Sequence, residues 1–302
     1  ADSVVTLNQH RLSGPFSVSQ DSVVIFNLNS FTTMRSDGNP AGTYITPNFR
    51  WRNYSTRPPD HARIGSDVYF SGSGALSADE LYRMRGGSIE LLDDIDETPV
   101  RSFIMVMSLL SYKLVFSAMS KGLGQELWVS DGSQAGSGLL INIYPDSLNN
   151  TDFVNGSFPD KFTQGDGLVY FSARDTSDSR YTPFVTDVSH AGTRRITNLW
   201  TDDGFSNGDF RLTDHYYWKD KLYFSGAVPI RGIQPDAELY QYDPLSDSAI
   251  LLKNIETLDF SGYGVGSYPQ RFSQTDSFLF FVAETKDEGQ ELWKTDGTAA
   301  GS

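Results

Sequence analysis

Glu291-Leu292-Trp293-Lys294-Thr295-Asp296-Gly297-Thr298 repeats, with few changes, the earlier stretch Glu126-Leu127-Trp128-Val129-Ser130-Asp131-Gly132-Ser133. A short apolar run precedes each: Phe280-Phe281-Val282-Ala283 in one case, Leu114-Val115-Phe116-Ser117-Ala118 in the other. Read outward from these two copies, the unit recurs along the chain on an aromatic anchor. Phe26, Phe70, Phe116, Phe171, Phe224 and Phe281 each close such a run, with spacings by subtraction of 44, 46, 55, 53 and 57 residues. A period of this length built from short β-like runs is the signature of a repeat architecture. The runs are too short for helices and continuously apolar, as strands buried on both faces are.

Each anchor has companions. Upstream lie Phe16-Ser17-Val18, Ala62-Arg63-Ile64, Phe103-Ile104-Met105-Val106, Lys161-Phe162-Thr163, Phe210-Arg211-Leu212 and Arg271-Phe272-Ser273. Downstream come Thr33-Met34-Arg35, Glu80-Leu81-Tyr82, Glu126-Leu127-Trp128, Pro183-Phe184-Val185, Glu238-Leu239-Tyr240 and Glu291-Leu292-Trp293. A further apolar segment follows a turn in five units: Thr43-Tyr44-Ile45, Ile89-Glu90-Leu91-Leu92, Leu139-Leu140-Ile141-Asn142-Ile143, Arg195-Ile196-Thr197 and Ile250-Leu251-Leu252. Asp37-Gly38, Asp131-Gly132 and Asp296-Gly297 fall between third and fourth segments, and Gly165-Asp166-Gly167 between a first and a second, where hairpins need positive φ. Asp-Gly also occurs in calcium loops, but one carboxylate at a hairpin does not make a six-oxygen cage.

Four strands per unit make a propeller blade. The expectation is an all-β, six-bladed β-propeller of four-stranded antiparallel blades, one domain over 1–302. The blades fall at 13–46, 58–93, 101–143, 158–199, 208–255 and 268–302. The last unit lacks a fourth segment, and Ser3-Val4-Val5-Thr6-Leu7-Asn8 has the character of one. Residues 2–8 are therefore expected to complete the last blade, which leaves no unpaired edge at the seam; the alternative is that this strand is donated to a neighbouring molecule, which would build a polymer.

Glu291 to Gly301, and Glu126 to Gly136 with Ser for Thr, resemble the ELWxxDGT repeat family; weaker echoes stand at Ser36 to Thr43 and Thr186 to Thr193. The resemblance implies a secreted or surface-exposed protein with a propeller-like array and no catalytic residue in the motif. Tyr82, Tyr240 and the Gly86-Gly87 turn depart from the pattern and mark divergent copies.

Composition narrows the partners. The 302 residues carry a formal charge of −14, which repels phosphate backbones and argues against nucleic-acid binding. No apolar run reaches the roughly eighteen residues of a transmembrane helix. Cysteine is absent, and 20 Phe and 15 Tyr supply core in place of disulfides. A start at Ala1 matches what signal-peptide cleavage leaves, and the expected location is extracellular or at the cell surface. Asn53, Asn149 and Asn155 lie in Asn-x-Ser/Thr sites.

The connections from the end of one unit to the start of the next are long: 47–59, 93–100, 144–158, 198–208 and 256–267. In an antiparallel blade they emerge on the same side as the second-to-third connections, of which 226–237 is also long. Binding sites favour elaborated loops on a rigid scaffold. Phe49, Trp51, Tyr54, Tyr144, Phe153, Trp200, Phe205, Tyr263 and Tyr268 fall on these connections among acids. Trp51, Tyr54, Trp200, Phe205 and Tyr263 are the expected binding residues, for a protein, a glycan or another copy of the chain. Asp202, Asp203, Asn207 and Asp209 form the calcium candidate, with glycines that permit tight wrapping but without EF-hand spacing. Asp93, Asp94, Asp96 and Glu97 form a second acidic cluster.

Catalytic patterns are scarce. His10, His61, His190 and His215 have no neighbours at metal-ligand spacing. His215, beside Asp214 on an inner strand, is expected to make a channel-wall hydrogen bond. The glutamates before Leu-Trp/Tyr recur by blade position, so they cannot converge on one substrate; they are expected to bond neighbouring backbone. An extracellular binding or assembly module is therefore favoured. The alternative is a propeller-type glycan hydrolase or lyase using carboxylates at the channel mouth.

Overall fold

The computed structural model describes residues 17–18, 23–29, 32–46, 50–51, 61–74, 79–95, 102–104, 107–145, 156–176, 181–196, 214–227, 237–256 and 266–302. The chain falls into two compact units, Ala1–Phe158 and Pro159–Ser302. Among the described residues no helix is long and apolar enough to cross a membrane.

The first unit holds three antiparallel sheets. One is β1 (Ser17–Val18), β2 (Val24–Asn29), β3 (Thr32–Ser36) and β4 (Tyr44–Ile45), in that order. The next contains β5 (Arg50–Trp51), β6 (His61–Ile64), β7 (Asp67–Ser73), β8 (Asp79–Arg85) and β9 (Ser88–Asp93). Here β5 and β6 both pair with β7, β5 at Gly72 and Ser73 and β6 from Asp67 to Phe70. The third is β10 (Met107–Leu110), β11 (Lys113–Ser120), β12 (Gly124–Ser130) and β13 (Gly138–Ile141). The second unit repeats the pattern. Its first sheet is β14 (Asp160–Gly165), β15 (Leu168–Arg174), β16 (Tyr181–Thr186) and β17 (Arg194–Arg195). Then come β18 (His215–Trp218), β19 (Lys221–Ala227), β20 (Ala237–Asp243) and β21 (Ser248–Lys253). The last has three strands, β22 (Gln270–Gln274), β23 (Leu279–Thr285) and β24 (Gly289–Thr295).

The apolar runs become the second strands for the reason their composition gives. β7 is buried along its whole length, and Val169 to Ala173 of β15 are buried on both faces. Each packs against the neighbouring sheet of its own unit. Tyr69 and Leu81 meet Met107, Leu114, Phe116 and Trp128 in one cluster, and Tyr170 and Val185 meet Leu222, Phe224 and Tyr240 in another. In the later sheets the aromatic anchor stands opposite a third-strand ring: Phe116 pairs with Trp128, Phe224 with Tyr240 and Phe281 with Trp293, whereas in the first sheet Phe26 pairs with Met34.

Side chains after that ring tie consecutive sheets together. Arg35 Nε donates to Gly87 O at 3.3 Å, Arg83 Nη1 to Gly132 O at 2.9 Å and Gln241 Nε2 to Gly297 O at 3.1 Å. The Asp-Gly glycine carries two duties. Gly132 has φ 88° and Gly297 φ 97°. A Cβ there would also crowd the Tyr69 or Tyr223 hydroxyl of the preceding sheet.

Several strand boundaries differ from the sequence reading. The inner strand of the third sheet is Met107–Leu110, not 103–106, because Phe103 takes φ 41° just after Ser102 N–H bonds Asp79 O. In the fifth sheet it is His215–Trp218, while 210–212 lie outside the described residues. The fourth strand of the fourth sheet shrinks to Arg194–Arg195, since Ile196 N–H turns to Pro183 O. Trp51, expected on a loop, lies in β5, where its backbone pairs with Gly72. Residues 2–8 lie outside the described residues.

Trp128 is 7% exposed within its cluster, whereas Trp293, at the matching position, is only half-buried. The two rings hold matching ladder positions, opposite Phe116 and Phe281, and differ in how far they are covered. Trp128→Ala is expected to cost about 3–5 kcal/mol in urea unfolding, as truncation of a large buried aromatic does, and Trp293→Ala clearly less.

Candidate functional site

The repeated motif resolves into two devices. The first is a turn lock. Asp131 Oδ1 accepts the Ser133 N–H at 2.9 Å and its hydroxyl at 2.6 Å, and Ser133 Oγ in turn accepts the Gly136 N–H at 3.0 Å. Asp187 with Ser189 and Gly192, and Asp296 with Thr298 and Gly301, repeat the arrangement. Gly42, Gly136, Gly192 and Gly301 lie so close to the turn aspartate of their own copy that a Cβ would overlap its carboxylate. The hydroxyl ending each third strand closes the loop: Ser130 with Ser137, Thr186 with Thr193, Thr295 with Ser302. The turn thus extends well past Asp-Gly itself, because the aspartate side chain organises the four or so residues beyond it. These bonds hold the Asp131 and Asp296 carboxyls below their usual range, with Ser133 and Thr298 as the main cause.

The second device is a buried glutamate clamp. Glu126 Oε2 accepts the Ile143 N–H at 2.9 Å and the Ser157 hydroxyl at 2.5 Å, and Oε1 accepts the Ser157 N–H at 3.0 Å. Glu238 binds the N–H groups of Ile255, Glu256 and Ser267 and the Ser267 hydroxyl, the last at 2.6 Å. Glu80 binds the Ile95 N–H at 2.9 Å and the Ser102 hydroxyl at 2.7 Å. One carboxylate therefore grips both the chain leaving a fourth strand and the chain entering the next sheet. The glutamates do bond backbone, as their recurrence implied, and they also bond a serine. The sequence signal for that serine is Gly156-Ser157-Phe158-Pro159 and Gly266-Ser267-Tyr268-Pro269. Gly156 and Gly266 lie against the backbone of Gln125 and Ala237, where no Cβ fits, and Phe158 and Tyr268 both take φ 47°. Burial raises the carboxyls of Glu126 and Glu238 above their ordinary range, against the lowering effect of these donors.

The residues singled out for binding or metal lie largely elsewhere. Tyr54, Trp200, Phe205 and Tyr263, the calcium candidate Asp202, Asp203, Asn207 and Asp209, and Asn53, Asn149 and Asn155 fall outside the described residues. For Trp51 only the β5 backbone is described. Of the other connection aromatics, Tyr268 is 48% exposed and Tyr144 half-buried. Among the described residues no group of three or more His, Asp or Glu side chains is placed to hold a metal.

His215 is buried, and neither ring nitrogen has a hydrogen-bond partner among the described residues. The Lys161 main chain lies beside the ring. Burial, with the Lys161 charge second, lowers its pKa to about 3, so the ring is neutral near pH 7. His61 and His215 stand opposite Phe70 and Phe224, as Met107 stands opposite Phe116. A methionine in that place marks it as a packing position. Asp214 beside it is engaged as well: Oδ1 accepts the His215 N–H and Oδ2 the Arg271 N–H at 2.6 Å.

Among the described residues, the exposed large apolar side chains other than Tyr268 lie in three places. Tyr112, 76% exposed, tips the β10–β11 hairpin, and Leu245, 88% exposed, tips β20–β21. Both are at the short-turn end of their sheets, which the sequence did not single out. Ile45, Leu91, Leu139 and Leu251 lie exposed on fourth strands. The third place is β24, where Leu292 is 71% exposed although Leu81, Leu127 and Leu239 at matching positions are fully buried. Glu291, Leu292, Trp293, Lys294, Gly301 and Ser302 line a groove along this strand.

Glu126→Gln turns an amide N–H toward donors that need an acceptor, and is expected to cost about 1–3 kcal/mol. Because the folded carboxyl has the raised pKa, its contribution is full below the unfolded value near 4.3 and declines as pH rises through the folded one. Urea midpoints from pH 4 to 8 should show the parent's margin over E126Q shrinking as pH rises.

No family model matches the chain, and no curated protein does. Solved structures do. A puromycin hydrolase S511A mutant complexed with PGG is 13% identical at a TM-score of 0.51, over 92% of this chain and 42% of that one. A puromycin-hydrolyzing peptidase of Mycobacterium tuberculosis is 12% identical at 0.50, over 97% and 45%. The GH74 xyloglucanase of Xanthomonas campestris, 12% identical over 91% and 42%, scores 0.41, too slight a likeness to argue from. This chain spans less than half the length of these proteins. At such identities the likeness is one of fold, and it places the four-stranded antiparallel sheets with propeller-like all-β architectures.

Proposed function

We propose that the chain is an extracellular or cell-surface binding or assembly module of the ELWxxDGT repeat type. In this reading its units form six blades of one ring, which residues 2–8 close by completing the last blade. The observation that supports it is the use made of the recurrent acids. Glu80, Glu126 and Glu238 bind main-chain amides and serines, and the turn aspartates bind their own loops. A scaffold whose repeated carboxylates are committed in this way leaves recognition to the parts that do not repeat, the long connections. Trp51, Tyr54, Trp200, Phe205 and Tyr263 are the proposed anchors there for a protein, a glycan or another copy of the chain, since aromatic residues dominate binding hot spots. Calcium held by Asp202, Asp203, Asn207 and Asp209 would bridge an acidic contact.

A second reading, a glycan hydrolase or lyase with carboxylates at the channel mouth, draws on the fold shared with proteins named as hydrolases. Turnover of a polysaccharide by the purified chain would favour it.

The test pairs two sets of substitutions. Trp51→Ser with Trp200→Ser should abolish retention on a glycan or protein array, or self-association in light scattering. Tyr112→Ser with Leu245→Ser should leave both unchanged. The reverse result places recognition at the short turns and overturns the long-connection reading.

A further inference from the structure

We propose that His215 is an acid-operated release for the joint between β14 and β18 in the second unit: as the solution turns mildly acidic, the two inner strands part and the ring takes up a proton. This holds whichever partner the chain binds.

The slot that His215 fills is an apolar packing position in other sheets. There the inner strand lays an apolar side chain against the aromatic anchor. Met107 stands opposite Phe116, and the Phe162 and Phe272 rings lie 5.6 and 5.7 Å from those of Phe171 and Phe281. His215 stands opposite Phe224 in the same way and is likewise buried. A histidine gives that slot a change of charge near neutral pH, which methionine and phenylalanine lack. His61, opposite Phe70 in the first unit, is a weaker copy because it is only half-buried.

The surroundings do not welcome an imidazolium. β18 packs against β14, β19 and β22. The charged groups are Asp160 and Lys161 on β14, Lys221 on β19, Arg271 on β22, and Asp214, Lys219 and Asp220 on or beside β18 itself. The carboxylates near the ring are spent on main chain: Asp214 Oδ1 accepts the His215 N–H at 3.1 Å and Oδ2 the Arg271 N–H at 2.6 Å, and Asp160 Oδ1 accepts the Lys161 N–H at 2.7 Å. Asp166 and Asp220 act on Tyr217, toward the other end of the strand. Lys221 is paired with Asp243, and Lys219 lies over the Trp218 ring. Burial and then the Lys161 charge oppose protonation of His215, and the Lys161 main chain beside it favours the charged form only in part.

The closed joint thus holds the ring neutral down to a pKa of about 3, whereas a ring released into water titrates near about 6.5. The folded value is the lower one. The neutral ring's contribution to stability is therefore full above about pH 6.5 and is lost as the pH falls toward 3. Glu238 works in the other direction: burial raises its carboxyl, so its contribution grows as the pH falls. Acid loosens the joint at β18 and leaves the Glu238 clamp in place, which keeps the opening local.

Hydrogen exchange of the full chain at pH 7.5 and 4.5, corrected for the intrinsic amide rates, reads the opening strand by strand. Between these values the opening constant of β14 and β18 should rise about a hundredfold, as uptake of one proton by a ring titrating near 6.5 when open dictates, while β11 and β12 change far less. His215→Met, the residue that the third sheet uses, should remove the rise; His215→Gln takes its place if that variant does not accumulate. Titration of the ring in the parent by NMR needs no variant and should find His215 still neutral at pH 5 in the folded protein. A folded-state ring that titrates near 6.5, a rise of less than tenfold, an equal rise in the variant, or the same rise in every sheet overturns the proposal.

Discussion

A buried carboxylate that receives two to four main-chain and hydroxyl donors is the constraint on which the sheets depend. Glu126 and Glu238 sit where a charge is costly, and burial does push their carboxyls toward the protonated form. The donors offset that cost, because each N–H and O–H they satisfy would otherwise be buried without an acceptor. Removing the glutamate therefore leaves several orphaned groups rather than one. The clamp also explains why a strand expected at 103–106 begins instead at Met107: the chain is still bound to the preceding sheet at Ser102.

The turn lock and the inter-sheet ties serve the same end at shorter range. Asp131 and its equivalents organise a loop within a few residues, while Arg83 and Gln241 reach its glycine carbonyl from the sheet before. The fourth sheet departs from this chemistry. Val188 replaces the turn glycine yet keeps φ 67°, an unusual conformation for a β-branched residue. Its N–H still bonds Thr186 Oγ1 at 2.9 Å, which shows that the lock, not the glycine alone, imposes the conformation.

The sequence made the sheets legible because their strands are buried on both faces and their anchors repeat. Phe70, Phe116, Phe171, Phe224 and Phe281 all lie in second strands, and the inner strands failed only where positive φ or long connections interrupt the pattern. The glutamate's role was half legible. Its recurrence argued against a shared substrate, but the serine partner lies 22, 31 or 29 residues away, across connections of unequal length. No local period reveals such a pair; only Gly156-Ser157 and Gly266-Ser267 hint at it. Exposed Leu292 was illegible for the opposite reason, since its Glu-Leu-Trp context is the same as that of buried Leu127.

The clamp has a consequence for how this chain can vary. Ile143 and Ser157 are held by the same carboxylate, and so are Ile255 and Ser267, so the two stems of each connection are pinned side by side whatever lies between. Lengthening a loop whose ends are already fixed costs only about 0.6 kcal/mol per doubling. Segments 144–156 and 256–266 are in effect insertion ports. Their length and composition can drift, or be exchanged for foreign sequence, while each sheet keeps its own internal packing.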